Sequence, residues 1–387
     1  MLKAKTGEEK MDTLLSKSQI PIIDLAHCGT EETPVKSVVI RVASQLHKAL
    51  SDKGIAFLVN HGISEEKLKQ AWQHLDDFCE LPADVKQHYI KGVNECNGYT
   101  EPGQELTNET DPEPELRHAF NICTINARNL PEEPLPGFSD QIAGLAKDFK
   151  ALAGFVLQSL AIGLELPQSF FLENHSRMLD GDLDNVSLLR LLYYPPVVED
   201  DNKCEVMKGQ CKYSYQRCAS DNPDFQFHDD IRSEDDELAA GNSGLANGSK
   251  RTDRDTFTLL AQDSEGGLEV KLPESSKWKR VGHLPGAILI ISGEILSVWT
   301  DAKYAAVSHR VVVPEQESLK SHGRHSIAFF CHPDNLTSIS SADLPNHSSD
   351  QENDSKKKRK KSFKIAKDKV YSAYQSIKER FKEKNGS

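Results

Sequence analysis

The chain reads as an α+β protein, helix-patterned in its first half and strand-patterned between Asp255 and Pro333. Three observations carry that reading. Phe138 to Leu166 places Ile142, Leu145, Phe149, Leu152, Val156, Leu160 and Ile162 at near-helical intervals, a core-facing stripe. From Asp255 onward, short β-branched and apolar segments alternate with turns: Thr256 to Leu260, Leu268 to Val270, Ala287 to Ile291, Val311 to Val313 and Ser326 to Phe330. Gly266-Gly267 between the first two segments is a hairpin signal, and Pro285-Gly286 is a turn before a fully buried strand. His309 and Arg324 stand at the entrances of two adjacent strands, as a site in the mouth of a small β-barrel would require.

The same stretch resembles a known family. Trp299-Thr300, then His309-Arg310-Val311 after eight intervening residues, then Arg324-x-Ser326-Ile-Ala-Phe-Phe330, is similar to the C-terminal half of the Fe(II)/2-oxoglutarate-dependent dioxygenases. The isopenicillin N synthase-like branch, with its plant hormone and flavonoid oxidases, is the nearest in pattern. Ile20-Pro-Ile-Ile-Asp-Leu25, a helical stretch, and Gly54-x-x-Phe-Leu-Val-Asn-His-Gly-Ile63 match that family's N-terminal region in order. The resemblance implies a double-stranded β-helix (jelly-roll) core with flanking N-terminal helices. It also implies Fe(II), 2-oxoglutarate as cosubstrate, dioxygen, and hydroxylation or desaturation of a small organic substrate.

Along the chain, residues 1–18 read as a mobile leader and 19–185 as the N-terminal helical and strand region. Ser37 to Ser51 carries Val38, Val39, Val42, Leu46 and Leu50 on one helical face. His61, beside Gly62 in a turn, reads as structural. Glu65 to Leu81 is a second helix, with Leu68, Trp72, Leu75 and Phe78 on one side, and Pro82 opens the next. Residues 94–114 are Gly-, Pro- and Glu-rich and read as a loop, which in the family borders the substrate pocket. Val186 to Pro196 is a strand stopped by Pro195-Pro196. The resemblance assigns its Tyr194 a hydrogen bond to the oxoglutarate carboxylate, with a buried barrel tyrosine as the plainer alternative. Residues 186–334 form the core, with an insertion over 231–254.

The metal site is where the sequence departs from the family. Non-haem Fe(II) oxygenases hold iron with two imidazoles and one carboxylate on one face. A His-x-Asp pair serves because alternate residues of an extended segment point the same way. By resemblance, His309 is the distal histidine. The family's pair stands just before the T-x-T-L-L strand, and there this chain has Arg251-Thr252-Asp253. Arginine stays protonated and offers a metal no lone pair. His228-Asp229-Asp230 upstream has the required spacing, after the alternating Phe225 and Phe227. The polar segment between it and Thr256 would add little closure entropy, since doubling a loop costs about 0.6 kcal/mol. His228, Asp230 and His309 are therefore the expected metal ligands. The alternative is a metal-free, ligand- or partner-binding barrel. Arg324 and Ser326 match the family's R-x-S: a guanidinium forks onto the distal carboxylate of 2-oxoglutarate, with a hydroxyl facing the same way.

Composition sets the outer limits. No apolar run approaches the roughly 18–20 residues of a membrane span, and the N-terminus lacks the apolar core of a secretory signal. The eight cysteines show no C-x-x-C pair, as reduced thiols in an intracellular protein would, cytoplasmic or nuclear. Cys204, Cys211 and Cys218, seven residues apart, lack the close spacing of a zinc site. Residues 335–355 are Ser-, Asp- and Asn-rich and read as a disordered linker. Residues 356–384 carry a net +10 in a chain of −12, so the rest carries −22. Lys356 to Lys361 is six consecutive cations, and Phe363, Val370, Tyr374, Ile377 and Phe381 follow at amphipathic-helix spacing. Such a tail fits contact with import machinery, nucleic acid or an anionic membrane.

Overall fold

The computed structural model describes residues 14–15, 19–28, 35–92, 95–105, 115, 117–126, 129–181, 184–196, 252–312, 323–341 and 371–372. Its elements run β1 (Leu14–Leu15), β2 (Ile22–Asp24), α1 (Lys36–Asp52), β3 (Ile55–Val59), α2 (Glu65–Glu80), α3 (Ala83–Gln87), β4 (Gly98–Thr100) and β5 (His118–Ile122). Then come α4 (Phe138–Gly163), α5 (Phe170–Glu173), β6 (Leu188–Tyr194), β7 (Phe257–Gln262), β8 (Leu268–Lys271), β9 (Lys279–Val281) and β10 (Ile288–Ser292). The last are α6 (Glu294–Trp299), β11 (Ser308–Val311), β12 (Arg324–Cys331), β13 (Ser338–Ile339) and β14 (Tyr371–Ser372).

The expected α+β architecture is present. Eight strands form the major sheet in the order β2-β3-β10-β7-β12-β6-β5-β4, and four form a minor sheet, β1-β9-β8-β11. The helices cover one face of the major sheet. Leu189, Leu191, Leu259, Ile290, Ile327 and Phe329 pack there in one core cluster with residues of α1, α2 and α4. The opposite face looks into the space between the sheets. There Leu192, Tyr194, Leu260, Leu289 and Ala328 join Leu268, Val270, Val281 and Val307 in a second core. With both faces covered, β7 and β10 are buried throughout, hence their continuous apolar sequences.

Local chemistry fixes the helices. Ser64 caps α2 by accepting from the Lys67 backbone N–H at 3.3 Å, and Glu65 and Glu66 in its first turn complement the helix dipole. The Glu132 carboxylate accepts from the Gly137 and Ser139 amides at 2.7 and 2.9 Å and so closes the open start of α4. Gly163 lets α4 approach α1, since a Cβ there would stand 3.1 Å from the Ala43 carbonyl oxygen. His61 is structural, as its turn position implies: Nε2 donates to the Gly286 carbonyl at 3.0 Å and Nδ1 accepts from Ile63 at 3.2 Å.

Several features differ from the sequence reading. Gly98–Thr100, in the stretch read as loop, forms β4 because it pairs with β5, and Ser338–Ile339, in the stretch read as linker, forms β13. β7 and β8 do not form a hairpin. Gly266 and Gly267, at φ 77° and 86°, carry the chain from the major to the minor sheet, so β7 pairs with β10 and β12 while β8 pairs with β9 and β11. Left-handed glycines serve a crossover as readily as a hairpin, and burial on both faces decides between them. β11 and β12, which carry His309 and Arg324, likewise lie in different sheets rather than side by side. In the two terminal segments, Leu14–Leu15 pairs with β9, and Tyr371–Ser372 is extended and pairs with Ser338–Ile339. Most of the leader, the 335–355 linker and the basic tail lies outside the described residues.

Candidate active site

The segment just before β7 is held rigidly. The carbonyls of Asp253 and Asp255 accept from the Glu294 and Ile295 amides at 2.8 and 3.1 Å, which satisfies the open N-terminus of α6. The Gly293 amide donates to the Thr256 carbonyl at 3.1 Å. A Cβ on Gly293 would run into the Asp255 carbonyl oxygen, so this approach requires glycine. His175 braces the segment from below, with Nε2 2.8 Å from the Thr256 hydroxyl and Nδ1 2.6 Å from the Phe171 carbonyl. Burial holds its imidazole down to about 4, so the ring is neutral at ordinary pH.

Asp253 thereby meets His309 across the gap between the sheets. His309 Nε2 lies 3.5 Å from Asp253 Oδ1, and both side chains are about nine-tenths buried, at 12% and 9% exposure. His309 Nδ1 lies 3.2 Å from the Val307 carbonyl and donates to it, because a carbonyl can only accept. That contact leaves Nε2 as the ring nitrogen nearest the carboxylate. An unprotonated ring nitrogen and a carboxylate oxygen at this range repel unless a cation or a proton stands between them. The pair therefore fits a metal ion, as a nitrogen and an oxygen donor. Thr258 Oγ1, 2.6 Å from Asp253 Oδ2 and 2.7 Å from Asp255 Oδ2, orients the carboxylate from behind.

Of the expected ligands, His309 stands at this site, while His228 and Asp230 lie outside the described residues, as does Arg251. The carboxylate beside His309 is that of Asp253, two residues after the arginine. Among the described residues no three His, Cys, Asp or Glu side chains converge as a complete metal cage.

A second constellation lines the same interior face. Arg324 of β12 is the register partner of Tyr194 on β6, and its guanidinium carbon lies 5.3 Å from the Tyr194 ring centroid. Arg324 Nε donates to the Gly266 carbonyl at 2.6 Å, Nη1 to the Ser326 hydroxyl at 3.2 Å and Nη2 to Gln262 Oε1 at 3.4 Å. Gln262, the register partner of Ser326, was not picked out from the sequence. Its Nε2 is buried without an acceptor among the described residues. A guanidinium, a hydroxyl and an unmatched amide on one buried row fit a carboxylate, and so fit one end of 2-oxoglutarate. Tyr194, Arg324 and Ser326 are thus brought together as expected.

The residue after Arg324 turns the other way. His325 stacks on Tyr193 at 4.6 Å, and its Nε2 lies 2.7 Å from the Asp76 carboxylate of α2. Its Nδ1 lies 3.4 Å from Asp263 Oδ2. Against the pull of burial, these two carboxylates raise the imidazole to about 9. His325 is a charged tie between the helical layer and the sheet.

Comparison with known proteins agrees with this geometry. Residues 20–138 match the family model for the N-terminal region of non-haem dioxygenases in morphine synthesis, and residues 185–333 match that of the 2OG-Fe(II) oxygenase superfamily. A 1-aminocyclopropane-1-carboxylate oxidase of Dictyostelium mucoroides is 24% identical over 343 residues, covering 85% of each chain. The 2-oxoglutarate-dependent dioxygenase htyE of Aspergillus rugulosus is 25% identical over 314 residues, covering 75% of this chain and 81% of its own. The crystal structure of a full-length Neurospora crassa protein in complex with alpha-KG superposes with a TM-score of 0.66 at 21% identity, covering 95% and 96% of the two chains. That likeness shows the fold, the double-stranded β-helix expected from the sequence. The two models take up the larger part of the chain in the right order, and the chain belongs to the 2OG-Fe(II) oxygenase superfamily, a dioxygenase that works with Fe(II), 2-oxoglutarate and dioxygen.

Proposed function

We propose that the protein hydroxylates or desaturates a small organic substrate, with His309 and Asp253 as two of the three iron ligands. The observation that carries this assignment is the 3.5 Å approach of His309 Nε2 to the Asp253 carboxylate. His228 is the proposed second imidazole, because it is the one histidine in the sequence between Tyr194 and Phe257. Asp230 is the competing carboxylate, since it stands two residues after His228. Arg324, Ser326, Gln262 and Tyr194 are proposed to seat 2-oxoglutarate.

When bound, Fe(II) activates dioxygen and couples oxidative decarboxylation of 2-oxoglutarate to oxidation of a substrate C–H bond. The protein's own part is placement. Arg324 neutralises and orients the distal carboxylate, Thr258 fixes the Asp253 carboxylate, and the apolar side chains between the sheets exclude water. The names of the curated relatives support the small-molecule reading.

The test is iron content and 2-oxoglutarate turnover, followed as succinate release, in wild type and in His228→Ala, Asp230→Ala, Asp253→Ala and His309→Ala. Loss in the His228, Asp253 and His309 variants, with Asp230→Ala active, supports the assignment. Retention of iron by Asp253→Ala would return the carboxylate role to Asp230. No helix among the described residues is long and apolar enough to cross a membrane. The run Lys356 to Lys361 is proposed to direct the protein to an anionic partner or to import machinery within the cell. An unchanged cellular distribution after its deletion would refute that.

A further inference from the structure

Beside the proposed metal and cosubstrate positions, the interior face of the major sheet carries a largely buried group of four charges. Arg190 lies four residues before Tyr194 on β6, hence on the same face, opposite Ala328 of β12 and Asn121 of β5. Arg117, just before β5, is 5% exposed, and Glu115 is 4% exposed. The Glu105 carboxylate accepts from Arg117 Nη2 at 2.9 Å and from Arg190 Nη2 at 2.6 Å through each of its oxygens. Glu115 forms an ion pair with Arg117. Backbone bonds from Gly103 to the Glu115 carbonyl and from Glu115 to the Glu105 carbonyl, both 2.8 Å, fasten this corner to the sheet.

The compensation is uneven. Among the described residues Arg117 pairs with Glu115 and shares Glu105, whereas Arg190 pairs directly with the shared Glu105 alone, whose side chain is 32% exposed, and feels Glu115 at longer range. Burial, and then the neighbouring Arg117, pull the Arg190 guanidinium below its ordinary value. Arg190 Nε is shut off from solvent and has no acceptor among the described residues. A buried guanidinium N–H without a partner is rare enough to require an explanation. Here it lies on the face that looks between the sheets, the face that also carries Arg324 and Tyr194.

We propose that Arg190 orients the substrate, and that the substrate is a small molecule bearing a carboxylate, which accepts from Arg190 Nε and competes with Glu105, on Nη2, for the guanidinium's charge. The proposal deepens the oxygenase reading above and rests on it. It does not relocate the cosubstrate. Four residues of strand put Arg190 about 13 Å along β6 from Tyr194, which is the register partner of Arg324. The proposal accordingly assigns the two arginines to two different carboxylates.

The experiment uses the full chain loaded anaerobically with Fe(II) and saturating 2-oxoglutarate. The probes are phenylacetate and hexanoate, each against its primary amide, with binding read by calorimetry and by thermal shift. Wild type should bind at least one carboxylate tenfold or more tightly than its amide. Arg190→Gln should erase that preference and leave 2-oxoglutarate affinity within twofold. Glu105→Gln, which removes the competing anion, should tighten carboxylate binding severalfold, and this variant decides the matter if Arg190→Gln does not fold. A wild type that takes 2-oxoglutarate but shows no carboxylate preference overturns the Arg190 assignment alone. So does a preference that survives in Arg190→Gln, or a Glu105→Gln variant that binds the carboxylates no more tightly than wild type. A wild type that binds neither 2-oxoglutarate nor any probe overturns the oxygenase reading with it.

Discussion

His309 Nε2 lies 3.5 Å from the Asp253 carboxylate, while its Nδ1 is engaged by the Val307 carbonyl. The backbone two residues away thus fixes which ring nitrogen is left toward the carboxylate. Asp253 is fixed as firmly, by Thr258 behind its carboxylate and by the start of α6 under its carbonyl. Two side chains so fixed, one on β11 and one just before β7, are what the proposed metal site requires.

The cosubstrate row yields a prediction about affinity. Arg324→Met removes a charge-assisted contact of about 1.5–3 kcal/mol. It should raise the KM for 2-oxoglutarate by roughly ten- to a hundredfold, with a much smaller change in kcat at saturation. Gln262→Leu removes an uncharged donor worth about 1 kcal/mol, so its KM should rise by about fivefold. Initial rates of succinate formation against 2-oxoglutarate concentration check both. An unchanged KM in Arg324→Met would remove Arg324 from the site.

Gly293 yields a prediction about coupling between fold and site. A methyl group there would collide with the Asp255 backbone oxygen. Gly293→Ala should destabilise the protein by about 1–3 kcal/mol, the usual cost of overpacking. It should also weaken Fe(II) binding, because the strain falls on the segment carrying Asp253. Urea unfolding and an iron titration on the same variant test the two effects. A fully stable, fully metal-binding Gly293→Ala would contradict the packing described.

His325 and His175 predict pH dependence of opposite sign. His325 is raised to about 9 in the folded protein, above the unfolded value near 6.5, so folding favours its protonated form. Its stabilisation is complete below about pH 6.5 and is lost as pH rises through about 9. His175 is lowered to about 4, so the folded state binds its proton less well than the unfolded chain. Its effect is destabilisation as pH falls from about 6.5 to about 4. Unfolding midpoints from pH 5 to 10 should therefore fall at both ends. His325→Gln should flatten the alkaline limb and leave the acid limb. An alkaline limb unchanged in that variant would show that the Asp76–His325–Asp263 tie is not its source.

Much of this was legible in the sequence because the information was local. Arg324 and Ser326 stand two apart on one strand, so alternation already puts them on one face, Tyr194 followed from the family resemblance, and His61 was legible as structural from its turn. The α4 stripe was plain from its periodicity. Gly266-Gly267 was less so, because left-handed glycines look the same in a hairpin and in a step between sheets. Asp253 stood in register with the T-x-T-L-L strand, but the arginine two residues before it drew attention upstream to His228 and Asp230, which lie outside the described residues. Gln262 carried no signal beyond a polar residue in an apolar strand. The Glu105–Arg117–Arg190 group is assembled from separate segments, and no periodicity within any of them announces it.

The central claim is that this chain is an iron enzyme despite Arg251, with Asp253 and His309 on the metal. Anaerobic titration of Fe(II) into the full chain with 2-oxoglutarate, followed by the visible metal-to-ligand band, tests it most directly. A band in wild type that is absent from Asp253→Ala and His309→Ala, both still folded, is the predicted result. No band in wild type, or a band that persists in both variants, would contradict it.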